Sequence, residues 1–413
     1  MDSPPCDRLP DTAAPPQGTA HPLATAEHPP ERPVVTELRL SAFRAHRGAV
    51  LPVRPLTLFA GASGSGKSSA LEVFEALALL AGGVPLGGAF PDPAGCVPDG
   101  ARADRQGRRG FRVGCTAEGP AGAVRLDLAV QAEPRLRIVG ERLTGPDGRT
   151  LLATALRDPA RPVVHAEWHT AGPTPVTRAP LPDDRLATAL APLRVAGRTD
   201  GQLRVLAAAE QILVALRSVF PCDPQPHRMR QPVAPGEGRL RRGCDNLAEV
   251  LYRTRADCRT RHARLVAAAG AGCAGPVRGL EARTLPDGML RAVLERAAGG
   301  VVTPLERLGD GELRYLALSL VLLTGPGVLA VDQALEVPGA MQALTVLADG
   351  LDRDLDARQA RELTALAARI CGDGHMRLIG TVGGTGAAAA RGTAGATLVE
   401  LPGPEDREAG RTR

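Results

Sequence analysis

The sequence predicts an α/β core that is interrupted by a long insertion. Near the N-terminus, the apolar run LTLFA at Leu56–Ala60 leads into a glycine-rich loop, and apolar residues at helical spacing follow it. Near the C-terminus, residues 311–381 show a helix–strand–helix–strand pattern. The residues between these two parts change first to short alternating segments and then to helical patterns. We therefore expect the two ends of the chain to build one α/β unit.

The composition of successive segments predicts five ranges. The first and last are tails, because residues 1–32 are rich in Pro, Ala and Asp and lack apolar periodicity. The ranges are a disordered tail (1–32), a first lobe with a glycine-rich loop and an antiparallel sheet (33–180), a partly helical insertion (181–300), a second lobe (301–402) and a short tail (403–413).

Periodicity predicts the elements inside these ranges. Val34–Phe43 alternates apolar and polar residues, as a strand does, and residues 109–178 contain short alternating runs separated by turns, which favours an antiparallel meander. Helices are expected at 202–220, near 246–265, at 311–323, near 339–352 and at 356–371, and buried strands at 328–331 and 377–381.

The composition indicates a globular protein with a skewed choice of basic residue. The hydrophobic fraction is 44%, and the net charge of +5 neither requires nor excludes nucleic acid. Of the 50 Lys and Arg residues only one, Lys67, is a lysine. Two Tyr, one Trp and six Phe argue against a surface on which bases stack.

Cysteine usage and hydropathy indicate a soluble, cytoplasmic protein. The eight cysteines form no CxxC pair and no histidine flanks them at ligand spacing, which argues against a zinc site. The longest uncharged run, 315–331, is divided by a Thr-Gly-Pro-Gly turn, so we expect no membrane span. The N-terminal residues lack the basic and apolar regions of a signal peptide.

The glycine-rich loop after Leu56–Ala60 matches the phosphate-binding pattern GxxxxGK[ST]. Glycines allow several backbone amides to point at one phosphate, and the following helix adds its positive N-terminal end. Lys67 is predicted to reach the β- and γ-phosphates and Ser68 to bind Mg²⁺. The predicted nucleotide-binding residues are Gly61, Ala62, Ser63, Gly64, Ser65, Gly66, Lys67, Ser68 and Ser69.

A phosphate loop needs a carboxylate near Mg²⁺, normally at the end of a neighbouring buried strand. The run VLAV at 328–331 ends in Asp332, and we predict that Asp332 binds the metal. The alternative is a strand that ends in Asp without any metal role.

Four segments carry a resemblance to a known family. They are AFRAHRG, LTLFAGASGSGKSSALEVFEAL, RLGDGELRYLALSLVLL and VLAVDQ, and the segment GCDNL at 243–247 is similar to a GxNL motif. On these segments the chain resembles AAA-family ATPases of the ABC/SMC/RecF type. The resemblance covers residues 34–80 and 301–382 and implies a P-loop NTPase core of ABC/RecF-like type that uses ATP and Mg²⁺.

The resemblance also implies a nucleotide-dependent homodimer. In this family a signature helix of one subunit caps the ATP bound to another subunit. Gly309, Asp310, Gly311 and Glu312 match the start of that helix, where backbone amides can face a γ-phosphate. The alternative is an ordinary amphipathic core helix with a Gly-Asp start.

Three departures from the family pattern concern hydrolysis. Gly309 replaces the usual Ser of the signature, Gln333 follows Asp332 where the family has Glu, and Val382 stands where it commonly has His. A glutamine can orient water but cannot accept its proton. We therefore predict a slow ATPase in which Lys67, Asp332 and Gln333 act at the reaction centre. The alternatives are an active hydrolase that uses Glu336 as its base and a non-hydrolysing regulatory module that acts on a protein partner.

Two arginine clusters raise DNA as a partner, in a role such as DNA repair or defence. One contains Arg102, Arg105, Arg108, Arg109 and Arg112, and the other contains Arg239, Arg241 and Arg242. Such clusters can bind phosphates, but in an arginine-biased protein they can equally be solvated surface. A GTPase is not expected, because a guanine-binding NKxD motif needs a second lysine.

Overall fold

The computed structural model describes residues 32–98, 100–169, 176–296, 300–325, 327–331 and 342–403. The strands are β1 (Val34–Phe43), β2 (His46–Pro52), β3 (Leu56–Ala60), β4 (Arg109–Glu118), β5 (Val124–Glu133), β6 (Arg137–Thr144), β7 (Thr150–Ala155), β8 (Val163–His169), β9 (Val176–Pro182), β10 (Val219–Cys222), β11 (Val277–Thr284), β12 (Leu290–Arg296), β13 (Val302–Pro304), β14 (Leu344–Ala348), β15 (Met376–Thr381) and β16 (Ala396–Glu400).

The helices surround these strands and join them. They are α1 (Lys67–Ala81), α2 (Leu86–Ala89), α3 (Pro93–Cys96), α4 (Ala187–Arg194), α5 (Asp200–Arg217), α6 (Pro226–Met229), α7 (Leu247–Asp257), α8 (Arg259–Gly272), α9 (Asp310–Leu323), α10 (Ala357–Gly372) and α11 (Gly384–Arg391), with one 3₁₀ turn at Leu305–Arg307.

A five-stranded parallel sheet forms the centre of the fold. Its order is β10-β14-β15-β3-β16, and every neighbouring pair runs in parallel. Every residue of β3, β14 and β15 is buried, as expected for strands whose two faces are both covered. The carboxyl ends of these three strands lie at one edge of the sheet, so the residues that follow them meet there.

An eight-stranded antiparallel sheet packs beside this centre, in the order β2-β1-β4-β5-β6-β7-β8-β9. The antiparallel meander predicted for 109–178 is therefore present as β4 to β9. Helix α5 covers the sheet, and its buried Gln211 donates hydrogen bonds to the carbonyls of Ala117 (3.0 Å) and Gly122 (2.6 Å). The ring of Phe111 lies 5.6 Å from that of Phe43 and 4.8 Å from that of Phe90, in edge-on contacts that fill the core.

The range predicted as an insertion contributes to the parallel sheet as well as to separate elements. The helix predicted at 202–220 ends at Arg217, because Val219 and Phe220 belong to β10. The helix predicted near 246–265 is two helices, α7 and α8, which meet at the extended residue Cys258. They pack against a small antiparallel sheet of order β11-β12-β13.

Two predictions in the C-terminal part are wrong. Residues 328–331 form no strand of the parallel sheet. Leu329 makes one isolated bridge with Leu240. The prediction of a helix near 339–352 is also wrong, because Leu344–Ala348 is β14 in the centre of the sheet. Its five consecutive buried residues show that burial between two strands decided the structure there.

The remaining C-terminal predictions are confirmed by α9, α10 and β15. Helix α10 begins with a capping box in which Asp356 accepts from the Gln359 amide (2.7 Å). Among the described residues, no helix combines the length and the apolarity that crossing a membrane requires.

Candidate phosphate-binding site

The loop between β3 and α1 has the backbone of a phosphate cradle. Gly61, Gly64 and Gly66 have φ of 144°, 78° and 87°, a region that side chains disfavour. Gly61 also lacks space, since a Cβ there would lie 2.7 Å from the Leu401 carbonyl oxygen. The predicted glycines are thus required by the path of the chain.

The start of α1 faces this cradle with its amide groups. Gly66 is the N-cap residue, and within the described structure no side chain caps the helix and no acidic residue occupies its first turn. The Lys67 ammonium lies over the loop and donates to the carbonyls of Gly61 (2.8 Å) and Ala62 (3.0 Å). A helix N-terminus with open amides and a neighbouring cation suits a phosphate group.

A carboxylate from the parallel sheet completes the site. The Ser68 hydroxyl donates to the Asp349 carboxylate, with distances of 3.0 Å and 3.2 Å to its two oxygens. The Thr381 hydroxyl donates to the same carboxylate at 2.5 Å, and the Gly350 amide donates to the Thr381 hydroxyl at 2.7 Å. A hydroxyl beside a carboxylate is an oxygen donor set that fits Mg²⁺.

Asp349 is the residue that sequence reasoning missed. It directly follows β14, and Thr381 is the last residue of β15. The apolar run LTVLA before Asp349 is a sequence signal for this carboxylate, but the similar run VLAV before Asp332 carries the same signal. Asp332, Gln333 and Glu336 lie outside the described residues.

A second residue missed by sequence reasoning is His46, whose imidazole contacts the phosphate loop. Its Nε2 lies 3.0 Å from the Gly66 carbonyl oxygen, and the side chain is buried. A Cβ on Gly66 would collide with the His46 imidazole. The AFRAHRG segment is therefore in direct contact with the phosphate loop.

The predicted signature residues form the start of α9. Gly309 is its N-cap, and the Glu312 carboxylate accepts hydrogen bonds from the amides of Gly309 (3.2 Å) and Ala274 (2.8 Å). Arg230 donates to Asp310 at 2.5 Å. Gly309 and Asp310 are exposed, and these contacts tie the helix start to its own subunit without involving the phosphate loop.

Helix α9 is joined to the residues after β14 by one buried arginine. Arg314 is 2% exposed, and its guanidinium donates to the carbonyls of Pro224 (2.7 Å) and Gly350 (3.1 Å). Burial lowers the pKa of this guanidinium, although Asp223 at 3.9 Å opposes the shift. Helix α9 and the Asp349 turn are thus linked within the chain.

The turn after β14 also contacts the segment after β15. The Asp352 carboxylate accepts from the amides of Gly383 (2.9 Å) and Gly386 (2.7 Å) at the start of α11. Val382, between Thr381 and this helix, is buried, and its amide donates to the Phe59 carbonyl at 2.9 Å. The phosphate loop, Asp349 and Val382 therefore belong to one connected edge of the sheet.

Strand, phosphate loop and helix on a parallel sheet define the P-loop class of fold. No family model and no curated protein matches the sequence. Solved structures that resemble the chain include an SMC head bound to the C-terminal winged-helix domain of ScpA, with 13% identity over 84% of this chain and 90% of that chain and a TM-score of 0.41.

Two other similar structures are SMC heads from Thermotoga maritima and Pyrococcus furiosus. The SMC head domain of Thermotoga maritima shows 14% identity over 89% of this chain and 94% of that chain, with a TM-score of 0.40. The SMC head of Pyrococcus furiosus with an extended coiled coil, bound to the C-terminal domain of ScpA, shows 13% identity over 86% and 92%, with a TM-score of 0.43.

Proposed function

We propose that the protein binds ATP with Mg²⁺ and dimerises around the nucleotide, as the ABC/RecF-like ATPases that it resembles do. The observation that carries this proposal is the contact of Ser68, at the head of α1, with Asp349 at the end of β14. A chain with only a glycine-rich turn would not need a carboxylate at that place. The pair supplies the two oxygen donors that a P-loop site requires for its metal.

Each part of the loop has a distinct role in this proposal. The amides of residues 61–68 and the start of α1 bind the phosphates, and Lys67 turns from the loop carbonyls to the β- and γ-phosphates. Ser68 and Asp349 hold the metal, with Asp349 in the role that the sequence suggested for Asp332. When bound, Mg²⁺ neutralises charge on the phosphates.

Slow hydrolysis follows from the residues beside Asp349. In the family that the chain resembles, a glutamate follows the strand-end aspartate and orients or deprotonates water. Here Gly350 follows Asp349, and the buried Val382 follows Thr381. Glycine has no side chain and the valine side chain is apolar, so neither residue can accept a proton. We therefore propose that Gly350, and not Gln333, occupies the position at which the family has its glutamate.

Dimerisation follows from the exposed start of α9. Gly309 and Asp310 face solvent. The amides of the first helical turn form the positive end of the helix, and in the subunit alone the Glu312 carboxylate accepts from the Gly309 amide (3.2 Å). A γ-phosphate bound to a second subunit is an anion that this end can meet. ATP, more than ADP, is therefore expected to join two subunits.

The test is ATP turnover and oligomeric state of the wild type beside Lys67→Ala. We expect the wild type to bind ATP, to form dimers with ATP-Mg and to turn over below about 1 per second, the low end of enzyme rates. Lys67→Ala should lose both binding and dimers. ATP binding that survives Lys67→Ala unchanged would overturn the proposal.

The second candidate function is a non-hydrolysing regulatory module. Phosphate release distinguishes it from a slow ATPase. Dimers that persist with ATP-Mg for hours, with no phosphate release, favour this module over a slow ATPase. Gln333→Glu and Gly350→Glu separate the two positions for the missing glutamate. A rise in turnover for Gln333→Glu alone would restore the assignment of Asp332 and Gln333.

A further inference from the structure

A guanidinium lies on the turn that follows the carboxylate of the candidate site. Gly350, the residue after Asp349, has φ of 61°, and a Cβ placed on it would lie 3.0 Å from both Nε and Nη2 of Arg353. The Arg353 amide donates to the Gly350 carbonyl at 3.0 Å, which closes the same turn. The charged end of Arg353 therefore lies beside the position to which we assign the missing glutamate.

Gly350 is part of the hydrogen-bond chain that holds the site together. Its amide donates to the Thr381 hydroxyl at 2.7 Å, and this hydroxyl donates to the Asp349 carboxylate at 2.5 Å. Ser68, at the start of α1, donates to the same carboxylate. Arg353 thus belongs to the sheet edge at which the phosphate loop begins, although no motif in the sequence marks it.

The guanidinium of Arg353 is open to a ligand. Its side chain is 53% exposed, and within the described ranges the guanidinium donates no hydrogen bond. Its Nη1 lies 3.9 Å from Oδ1 of Asp223, which is longer than a hydrogen bond. The same Oδ1 lies 3.9 Å from Nη1 of Arg314. Two guanidinium groups therefore share one distant carboxylate, which leaves an excess of positive charge between them.

The aspartates of this turn do not pair with Arg353. Asp352 accepts from two amides at the start of α11, and Asp356 caps α10. Asp354 is exposed and forms no ion pair with an arginine in the described part of the chain. Burial and, after it, the charge of Arg353 lower the pKa of the Arg314 guanidinium. An anion near both guanidinium groups would offset their repulsion.

The strand order places two cations on opposite sides of Asp349. The sheet runs β10-β14-β15-β3, and Asp349 follows β14. Lys67 approaches from the side of β3, because the phosphate loop connects that strand to α1. Arg353 approaches from the other side, since its neighbour Asp223 directly follows β10. A phosphate chain that starts at Lys67 and crosses Asp349 would therefore bring its last phosphate towards Arg353.

We propose that Arg353 binds the γ-phosphate of ATP in its own subunit and so makes the site prefer ATP to ADP. The inference rests on the proposed function and adds the residue that distinguishes the two nucleotides. A guanidinium offers several N–H donors to phosphate oxygens, and such charge-assisted bonds are stronger than neutral ones. ADP lacks the phosphate that Arg353 would contact. A guanidinium also accepts no proton, so it holds the phosphate without activating water.

The test compares ATP and ADP binding by the full chain and by Arg353→Gln, with Mg²⁺ present. We would measure anisotropy of ATP and ADP that carry a fluorescent label on the ribose, at protein concentrations at which ultracentrifugation shows monomers. In R353Q the affinity for ATP should fall at least about tenfold, whereas the affinity for ADP should stay within about twofold. Arg353→Lys should keep part of the preference for ATP, because it retains the charge without the planar fork.

The matched control is Arg361→Gln, which removes an exposed arginine of α10 that also lacks a partner in the described structure. This variant changes the net charge as R353Q does and should bind both nucleotides within about twofold of the wild type. Equal loss of ATP binding in the two variants would overturn the assignment to Arg353. Equal weakening of ATP and ADP in R353Q would show that the residue supports the turn and would also overturn it.

A mimic of the γ-phosphate gives a second measurement. ADP with beryllium fluoride should bind the wild type more tightly than ADP alone, because the fluoride complex stands where the γ-phosphate would be. This gain should disappear in R353Q and persist in Arg361→Gln. A gain that is as large in R353Q as in the wild type would contradict the contact between Arg353 and the γ-phosphate.

The outcomes separate this inference from the proposed function. A wild type that binds neither nucleotide would refute both. If the wild type binds ATP, loses it in Lys67→Ala and keeps its affinity in R353Q, only the role of Arg353 is refuted. A loss in R353Q that occurs only at concentrations that give dimers would refute the contact within one subunit.

Discussion

The Ser68 hydroxyl lies 3.0 Å from the Asp349 carboxylate, although 281 residues separate them in the sequence. Strand β15 lies between the strands that precede these two residues, and its last residue, Thr381, holds the same carboxylate. The order β14-β15-β3 therefore brings three distant segments to one edge of the sheet. The site depends on this order as much as on the phosphate-loop motif.

The first prediction concerns which aspartate binds the metal. Asp349→Asn should weaken Mg²⁺-dependent ATP binding at least about tenfold, because an amide is a poorer ligand for a hard cation than a carboxylate. Binding measured by calorimetry with Mg²⁺ and with EDTA separates the metal contribution from that of the loop. In EDTA the variant and the wild type should bind ATP alike.

The control for this prediction is Asp332→Asn, which changes the aspartate favoured by the sequence. It should leave the Mg²⁺ dependence as in the wild type. An exposed aspartate outside the site, Asp373, gives a second reference as Asp373→Asn. The assignment to Asp349 fails if Asp332→Asn abolishes the Mg²⁺ dependence and Asp349→Asn retains it.

Much of the candidate site could be predicted from the sequence because its signals are local. The phosphate loop combines glycines, one lysine and a hydroxyl within eight residues, and each has a specific backbone or ligand reason. The strand before it and the helix after it follow from periodicity. For the same reason the antiparallel strands between residues 109 and 182 were recognisable, since turns separate clearly alternating runs.

The carboxylate could not be predicted in the same way because it is defined by strand order. Two apolar runs precede an aspartate, one before Asp332 and one before Asp349. Only the pairing of β14 with β15 and β10 shows that the second run is in the sheet. The contact of His46 with Gly66 could not be predicted from the sequence either, because tertiary packing alone brings this turn and this loop together.

A second prediction concerns the space around Gly66. Gly66→Ala should lower the free energy of unfolding by more than about 2 kcal/mol, because the left-handed backbone alone costs about 1–2 kcal/mol and the new Cβ also collides with His46. Gly48→Ala is the matched control, since Gly48 has φ of 67° and no atom within 4 Å of the added Cβ. It should cost only about 1–2 kcal/mol. Urea unfolding measures both.

The His46 clash can be isolated by a double-mutant cycle. His46→Ala gives room for the Cβ of Gly66→Ala, so the two changes together should destabilise less than the sum of each alone. We expect an interaction energy of about 1 kcal/mol or more in this direction. Additive changes, or equal costs for Gly66→Ala and Gly48→Ala, would show that the imidazole does not constrain the loop.

A third prediction concerns the start of α9. A Cβ on Gly311 would collide with the Asp354 carbonyl oxygen, so Gly311→Ala must displace the first turn of α9. If this turn meets nucleotide on a second subunit, ATP-dependent dimers should weaken at least about tenfold, or ~1.4 kcal/mol. ATP binding by the monomer should stay within about twofold. Analytical ultracentrifugation with ATP-Mg measures the first and calorimetry the second.

The matched control for this change is Gly309→Ala, where no atom lies within 4 Å of the added Cβ. It should leave the protein as stable as the wild type, within about 0.5 kcal/mol. Gly309→Ser is expected to be equally well tolerated, and its hydroxyl restores the residue that the family has at this place. Unchanged dimers in Gly311→Ala would argue against a role of this turn in dimerisation.

The fourth prediction concerns the buried link between α9 and the Asp349 turn. Arg314→Met removes the donors to the buried carbonyl of Pro224 and to the half-buried carbonyl of Gly350. An unsatisfied buried group costs about 1–3 kcal/mol, so we expect the free energy of unfolding to fall by about 1–3 kcal/mol. Arg353→Met is the matched control, because Arg353 also lies 3.9 Å from Asp223 but is exposed. It should change stability by less than about 1 kcal/mol. Equal losses in the two variants, measured by urea unfolding, would show that charge near Asp223 matters and that the link to Gly350 does not.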